Sequence, residues 1–175
     1  MFDPADQADA KELLAALRAR KLTLCTAESC TGGLIAGLLT EIPGSSDVFD
    51  RGFVTYSNGA KCDLLGVPAT LIGRYGAVSL EVALAMAAGA LRASTASMSV
   101  AVTGIAGPGG GAAEKPVGLV HLAAQRRGRR PLHTMLELGD IGRSAVRLET
   151  VRVALHLCRQ ALVDNEPRAD GAGGP

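Results

Sequence analysis

Residues 22–42 read LTLCTAESCTGGLIAGLLTEI, and this stretch decides the fold. Its apolar beginning, LTLCTA, predicts a short buried strand, and its end, LIAGLLTEI, predicts a helix that Pro43 and Gly44 terminate. Between the two, ESCTGG combines small hydroxyl residues with paired glycines, a composition typical of a tight turn. A strand, a tight turn and a helix in this order indicate an α/β fold.

The segments on either side extend this pattern. An amphipathic helix is predicted over 6–20, where Ala10, Leu13, Leu14 and Leu17 recur at helical spacing. Further helices are predicted near 69–74 and over 79–93 and 141–164, further strands over 52–57, 96–104, 117–125 and 131–138, and loops over 43–51 and 58–68. Helices separate most strands but the last two strands adjoin. The sequence therefore predicts a three-layer α/β/α sandwich with a mixed β-sheet of about five strands.

The chain length fits one domain, and we expect that domain to span 1–164. The segment 165–175, NEPRADGAGGP, lacks apolar anchors and is expected to be a disordered tail. The N-terminal segment MFDPADQADAKE has neither the basic nor the apolar region of a signal peptide, and no apolar run approaches the length of a bilayer span. A cytoplasmic protein without membrane contact is therefore expected.

Composition argues against several classes of partner. The net charge is +1, aromatic residues make up 3% of the chain and Trp is absent, so a general attraction to nucleic acid is not indicated. The four cysteines are scattered without a CxxC pair, and none of the three histidines has a metal-like spacing to a partner, so no metal or cofactor is expected. The partner that remains is a small molecule.

Three predicted loops follow strands and hold most of the conspicuous polar chemistry: 26–33, 56–61 and 103–116. Ligands of such sheets collect at the carboxyl ends of strands. The first loop suits a phosphate or an oxyanion at a helix N-terminus, although spacing alone favours Ser29 or Thr31 as a simple helix cap. In the second loop, Lys61 can act as a base only if its surroundings lower its pKa. The third loop is rich in glycine, which permits close approach of a ligand or forms only a flexible turn.

Two arginines stand out at the start of the last helix. The apolar stripe of that helix extends N-terminally to Arg147 and Arg143. Cations at a helix N-terminus oppose the macrodipole, and an anionic ligand would remove the conflict. Phosphate recognition and ordinary surface placement both remain open, with Arg143 preferred because Gly142 precedes it.

Five segments, two of them long, taken together and in order resemble the CinA C-terminal family. They are TAESCTGGLIAGLLTEIPGSSDVFDRGFVTYSNGAK (26–61, Gly59 excepted), LLGVP (64–68), GAVS (76–79), VAVTGIAGPGGGAAEKPVG (100–118) and GDIGRSAVR (139–147). The resemblance covers about residues 8–163. It implies hydrolysis of the amide of nicotinamide mononucleotide to nicotinic acid mononucleotide and ammonia, a step of pyridine-nucleotide salvage. It also implies a metal-independent serine amidase assisted by lysine, and a homo-oligomer.

Carried over residue by residue, the resemblance makes Lys61 the base and Tyr56 a residue that orients Lys61 or the pyridine ring. Ser29 and Ser46 are alternative nucleophiles, with Ser45 and Cys30 as lesser candidates. The implied substrate-binding residues are Thr31, Gly32, Gly33, Thr103, Gly104, Ala106, Gly107, Arg143 and Arg147. The chain reads GDIGR where many members have GDR, so either arginine can be the counterpart of the family's residue.

Two other functions compete with the amidase. A non-catalytic module of the same family would bind a nucleotide in these loops without converting it. A role in DNA uptake finds no support in the charge balance or the aromatic content. A serine, Tyr56 and Lys61 together favour the enzyme, because a module that only binds has little need of a buried amine.

Overall fold

The computed structural model describes residues 2–163, in which five strands form one mixed sheet. The strands are β1 (Leu24–Glu28), β2 (Phe49–Val54), β3 (Met98–Gly104), β4 (Leu119–Arg126) and β5 (Leu132–Glu137). Their order across the sheet is β2-β1-β3-β4-β5. The first three are parallel, and β4 and β5 run antiparallel to their neighbours. The expected tail, 165–175, lies outside the described residues.

Helices cover both faces of this sheet. They are α1 (Pro4–Ala19), α2 (Leu34–Glu41), α3 (Asn58–Leu65), α4 (Ala69–Tyr75), α5 (Leu80–Arg92) and α6 (Arg143–Val163). Helices α1, α2 and α6 pack together on one face, whereas α5 packs on the other with α3 and α4 beside it. Each face has its own buried apolar cluster. The predicted three-layer sandwich with five strands is therefore confirmed.

Helix α1 shows why its sequence folds as predicted. Its stripe of Ala10, Leu13, Leu14 and Leu17 is completely or almost completely buried. Asp3 accepts the N–H of Asp6 at 2.8 Å and so caps the first turn. The buried carboxylate of Asp6 accepts from Nε of Arg152 at 2.7 Å, which ties α1 to α6.

Two predictions between residues 43 and 68 were wrong. The strand predicted over 52–57 occupies Phe49–Val54, because the ladder with β1 begins where Phe49 pairs with Leu24. The segment 58–65, predicted as a polar connection, is α3. Its first residues, Asn58 and Gly59, have low helix propensity and hid it. The Ser57 hydroxyl, which accepts from the N–H of Ala60 at 3.0 Å, supplies the cap that begins the helix.

The connections place one crevice at the carboxyl ends of β1 and β2. Helix α2 follows β1 on one face, whereas the chain from β2 to β3 crosses the other face through α5. Chains that leave adjacent parallel strands toward opposite faces open a gap at the sheet edge, where ligands of open α/β sheets bind. Within residues 2–163, no helix is both long and apolar enough to cross a membrane, and no His, Cys, Asp and Glu side chains cluster as metal ligands.

Candidate active site

The turn after β1 is shaped by Glu28, a residue that the sequence analysis did not single out. Its buried carboxylate accepts the backbone N–H groups of Gly33 at 3.0 Å, Ile35 at 3.1 Å and Ala36 at 2.9 Å. These are the free donors at the N-terminus of α2, so the carboxylate occupies the position that a phosphate would take. The interpretation of Ser29 or Thr31 as the cap of α2 was therefore wrong, and the Ser29 hydroxyl is free for another role.

Glycines and Arg147 hold this turn in shape. Gly32 and Gly33 adopt φ of +60° and +94°, a left-handed backbone that side chains with a Cβ rarely adopt. Arg147 donates from Nε to the carbonyl oxygen of Cys30 at 3.1 Å and from Nη2 to that of Thr31 at 2.8 Å. Arg147 therefore supports the turn, and its guanidinium group is committed to backbone carbonyls.

Lys61 reaches Ser29 from the neighbouring loop. It lies in the first turns of α3, and its side chain is almost completely buried, with 1% exposed. Its Nζ donates to the carbonyl oxygen of Thr55 at 2.9 Å and lies 3.0 Å from Oγ of Ser29. A serine and a lysine separated by 31 residues in the chain thus form a buried hydrogen-bonded pair.

The surroundings of Lys61 make its amine a better base. Burial lowers the pKa of Lys61, and it outweighs the opposing influence of the Cys30 and Cys62 thiols. Burial also raises the pKa of Cys30 to about 12, so this thiol stays protonated near neutral pH and supplies no compensating negative charge. The pKa of Lys61 is therefore shifted downward, in the direction that a lysine needs to act as a base.

Ser29 and Lys61 open into a pocket of about 240 Å³ at the predicted edge of the sheet. Its lining comprises Ser29, Cys30, Tyr56, Asn58, Lys61, Ala77, Gly104, Ala106 and Arg143. Arg143 spans two of the predicted loops: Nη1 donates to the carbonyl oxygen of Gly107 at 2.9 Å and Nη2 to the phenolic oxygen of Tyr56 at 2.9 Å. The pocket therefore combines a buried Ser–Lys pair with an arginine near the exposed ring of Tyr56.

The residues expected to bind substrate differ in where they lie and what they contact. The Thr103 hydroxyl donates to the carbonyl oxygen of Ala77 at 2.8 Å. The buried Thr31 hydroxyl has no hydrogen-bond partner among residues 2–163. Gly104 and Ala106 line the pocket, and Gly107 meets it through the carbonyl held by Arg143, whereas Gly32 and Gly33 form the turn behind it.

The two alternative serines occupy opposite edges of the sheet. Ser46 is exposed in the short 3₁₀ turn Ser45–Asp47, which leads directly into β2. The carbonyl oxygen of Val48, just after this turn, accepts from the N–H of Leu24 at the first residue of β1. Ser29 follows the last residue of β1, about 16 Å farther along the strand axis. Ser46 and Ser45 therefore lie away from Lys61 and from the pocket lining.

Comparison with known proteins agrees with this architecture. A family model described as "CinA C-terminal domain" matches residues 6–162. The crystal structure of the competence/damage inducible protein CihA from Agrobacterium tumefaciens superimposes with a TM-score of 0.90 at 55% identity, covering 94% of this chain and 99% of that one.

The relatives similar in sequence are of two kinds, which differ in length. The nicotinamide-nucleotide amidohydrolase PncC of Escherichia coli K12 is 48% identical over 86% of this chain and 90% of its own length. The chain spans only about a third of other curated relatives, such as the CinA-like protein of Geotalea daltonii, which is 53% identical over 81% of this chain and 34% of its own length. The family match covers nearly all of the described residues, and the chain therefore belongs to the CinA C-terminal family.

Proposed function

We propose that this protein hydrolyses the carboxamide of nicotinamide mononucleotide to nicotinic acid mononucleotide and ammonia, with Ser29 as nucleophile and Lys61 as general base. The observation that carries the proposal is the 3.0 Å separation of Lys61 Nζ and Ser29 Oγ inside the pocket. The name of the similar Escherichia coli protein, nicotinamide-nucleotide amidohydrolase, supports the same reaction. The reaction would be a step of pyridine-nucleotide salvage.

Acylation begins with neutral Lys61. One N–H of the amine donates to the Thr55 carbonyl, which leaves the nitrogen lone pair to accept the Ser29 hydroxyl proton. The Ser29 oxygen then forms a bond to the carboxamide carbon, and the carbonyl becomes a tetrahedral oxyanion. No backbone carbonyl among residues 2–163 accepts from the N–H groups of Cys30 and Thr31, so these two groups are the candidate oxyanion donors.

Collapse of the tetrahedral intermediate completes the first half of the reaction. The C–N bond breaks, Lys61 gives its proton to the departing nitrogen, and ammonia leaves an ester on Ser29. Water then attacks this ester while Lys61 takes one of its protons. Lys61 returns that proton to the Ser29 oxygen as the acid product departs, which restores both residues.

Arg143 is the residue that we assign to the substrate phosphate. Its guanidinium lines the pocket and is held by one carbonyl and one exposed phenol, of which the phenol of Tyr56 is the weaker acceptor to displace. Arg147 is committed to the backbone of the Ser29 turn and is better suited to support that turn. Tyr56 would then stack on or flank the pyridine ring; its phenol contacts Arg143.

A nucleotide-binding module without catalysis remains the second candidate. Arg143 and the glycine-rich loop would suit such a module equally well, but the buried Lys61–Ser29 pair would serve no purpose in it. Burying an amine costs free energy, and a module that only binds gains nothing from that cost.

The reaction itself decides between the two candidates. We expect the purified protein to release one ammonia for each nicotinamide mononucleotide consumed, with nicotinic acid mononucleotide as the product detected by anion-exchange chromatography. Nicotinamide riboside, which lacks the phosphate, should react with a higher KM because Arg143 loses its partner. Tight binding of the nucleotide without ammonia release, measured by calorimetry, would replace the amidase with the module.

A further inference from the structure

The segment between α4 and α5 forms one wall of the pocket without regular backbone hydrogen bonding. Ala77, in the middle of residues 75–78, lines the pocket beside Ser29 and Lys61. No backbone N–H among residues 2–163 donates to the carbonyl oxygens of residues 75–78. A wall that lacks these bonds needs other contacts to keep its shape.

Side chains supply all four missing donors. Nζ of Lys115 donates to the carbonyl oxygens of Tyr75 at 2.5 Å and Val78 at 2.7 Å. The Thr103 hydroxyl donates to that of Ala77 at 2.8 Å, and the Ser79 hydroxyl donates to that of Gly76 at 3.0 Å. Only the last of these contacts is local, so β3 and the loop after it hold this wall.

The loop presents Lys115 from a rigid base. Residues 112 and 115 exchange two backbone hydrogen bonds, at 2.9 and 3.0 Å, in a tight turn. At the foot of the loop, the N–H of Gly118 donates to the carbonyl oxygen of Ile105 at 2.8 Å, and the N–H of Ile105 donates to that of Leu119 at 2.9 Å. Backbone hydrogen bonds therefore hold the part of the loop from which the Lys115 side chain extends.

The space around the ammonium group fits lysine and not a larger cation. Gly76 has φ of +76°, and a Cβ placed on it would lie 2.6 Å from Nζ of Lys115. The lysine nitrogen thus occupies the volume that a side chain at position 76 would need. A compact point charge with several donors fits this place, whereas a planar guanidinium is broader.

We propose that Lys115 is a positioning residue of the pocket: by holding the carbonyl oxygens of Tyr75 and Val78, it fixes the Ala77 wall and so sets the affinity for the substrate. The identity of that substrate rests on the proposed function; the contacts of Lys115 do not. Lys115 does not line the Ser29–Lys61 pocket, and it acts through the backbone of residues 75–78.

The variant Lys115→Met removes the ammonium group and keeps the length of the side chain. We expect KM for nicotinamide mononucleotide to rise about tenfold while kcat changes by less than about threefold, because Ser29 and Lys61 keep their contacts. The pH dependence of kcat should stay as in the wild type. Amide hydrogen exchange should accelerate in the peptide that spans residues 75–80 and remain unchanged in peptides from α1 and α6. Lys11→Met, at an exposed position of α1, is the matched control for loss of a lysine.

A second variant tests the fit of the ammonium group. Lys115→Arg keeps the charge, but the close approach to Gly76 leaves too little room for a guanidinium, so KM should stay elevated. A wild-type KM in Lys115→Met overturns the inference, whereas a wild-type KM in Lys115→Arg would show that a guanidinium can hold the same two carbonyl oxygens. If Lys115→Met unfolds as a whole, Thr103→Val, which removes only the donor to the Ala77 carbonyl, should raise KM and accelerate exchange at 75–80 in its place.

The two proposals fail in different ways. A wild-type protein that releases no ammonia contradicts the amidase, yet hydrogen exchange at 75–80 in Lys115→Met still tests the wall. An active wild type together with unchanged KM and unchanged exchange in Lys115→Met contradicts the positioning role and leaves the amidase in place.

Discussion

Two turns that contain serine lie at opposite ends of β1, and they differ in burial and in their contacts. The turn at 29–33 follows the strand, and its Ser29 is buried, with Oγ 3.0 Å from Lys61 Nζ. The turn at 44–47 precedes β2, and its Ser46 is exposed. Both are rich in small residues and contain glycines in left-handed conformation. The contacts of the two serines therefore differ because of their places relative to strand direction and not because of their local sequence.

The direction of the chain explains the difference. In parallel strands joined by crossovers, the segments that follow β1, β2 and β3 all emerge at the same edge of the sheet. Lys61 follows β2 and Gly104 ends β3, so both meet the turn that follows β1. The Ser46 turn leads into β2 and therefore lies at the edge where strands begin. Asp47 there pairs with Arg18 of α1 at 3.3 Å.

The largest expected difference between the two turns is in their effect on catalysis. Ser29→Ala should lower kcat by about a thousandfold or more, because the nucleophile is lost, whereas Ser46→Ala should leave kcat and KM within about twofold of wild type. Initial rates of ammonia release over a range of substrate concentrations give kcat and KM for both variants. The reverse result, with activity lost only in Ser46→Ala, would transfer the nucleophile to the exposed turn.

Lys61→Met tests the proposed general base. Loss of a general base should lower kcat about 10²- to 10⁴-fold. In the wild type, kcat/KM should rise with pH as Lys61 loses its proton, and because burial lowers the pKa of Lys61, this rise should occur below pH 10.5. The residual rate of Lys61→Met should lack that rise. Rate profiles from pH 6 to 10 for both proteins provide the comparison.

The same pKa shift predicts a pH dependence of stability. Between the lowered pKa of folded Lys61 and 10.5, the unfolded chain binds the proton that the folded protein has released. The free energy of unfolding contributed by this group therefore rises with pH in that interval and is constant below it. Lys61→Met should remove this slope in urea titrations. An identical slope in the two proteins would contradict a lowered pKa of Lys61.

A smaller effect is expected from the carboxylates of the two turns. Glu28→Gln replaces one of the oxygens that accept three backbone N–H groups with an amide that donates, and it should lower the free energy of unfolding by about 1–3 kcal/mol. Asp47→Asn, in the exposed turn, should change it by less than about 0.5 kcal/mol. Urea denaturation of the two variants measures the difference, and equal stabilities would show that Glu28 does not organise its turn.

Most elements could be predicted because local patterns fixed them. The stripe of α1, the tight turn after β1 and the antiparallel pair β4–β5 all follow from apolar spacing and turn residues, and the structure confirms them. Helix α3 was missed, because its first turn holds Asn58 and Gly59 and its cap depends on the Ser57 hydroxyl. The bounds predicted for β2 lay three residues too late in the chain, because an edge strand whose residues are partly buried or exposed has no strong alternation.

The candidate site could be predicted in its parts but not in its contacts. Ser29, Tyr56, Lys61, Gly104, Ala106 and Arg143 are expected from the three loops, the arginine pattern and the family resemblance, and the structure brings them to one pocket. Arg147, Thr103 and Glu28 instead bind backbone groups that shape the pocket. No local pattern distinguishes an arginine that meets a ligand from one that meets a carbonyl, because both use the same donors.

The α/β class, the loops that line the candidate site and membership in the family all follow from the sequence alone, because they depend on periodicity and extended motifs. Only the tertiary structure distinguished Ser29 from Ser46 in their relation to Lys61. That relation joins residues 29 and 61 across two parallel strands, and it arises because strand direction brings the loops after β1 and β2 to one edge. The tertiary structure also buries the Lys61 amine, and this burial lowers the pKa of Lys61. The shift depends on surrounding residues that are distant in the sequence, so no local pattern predicts it.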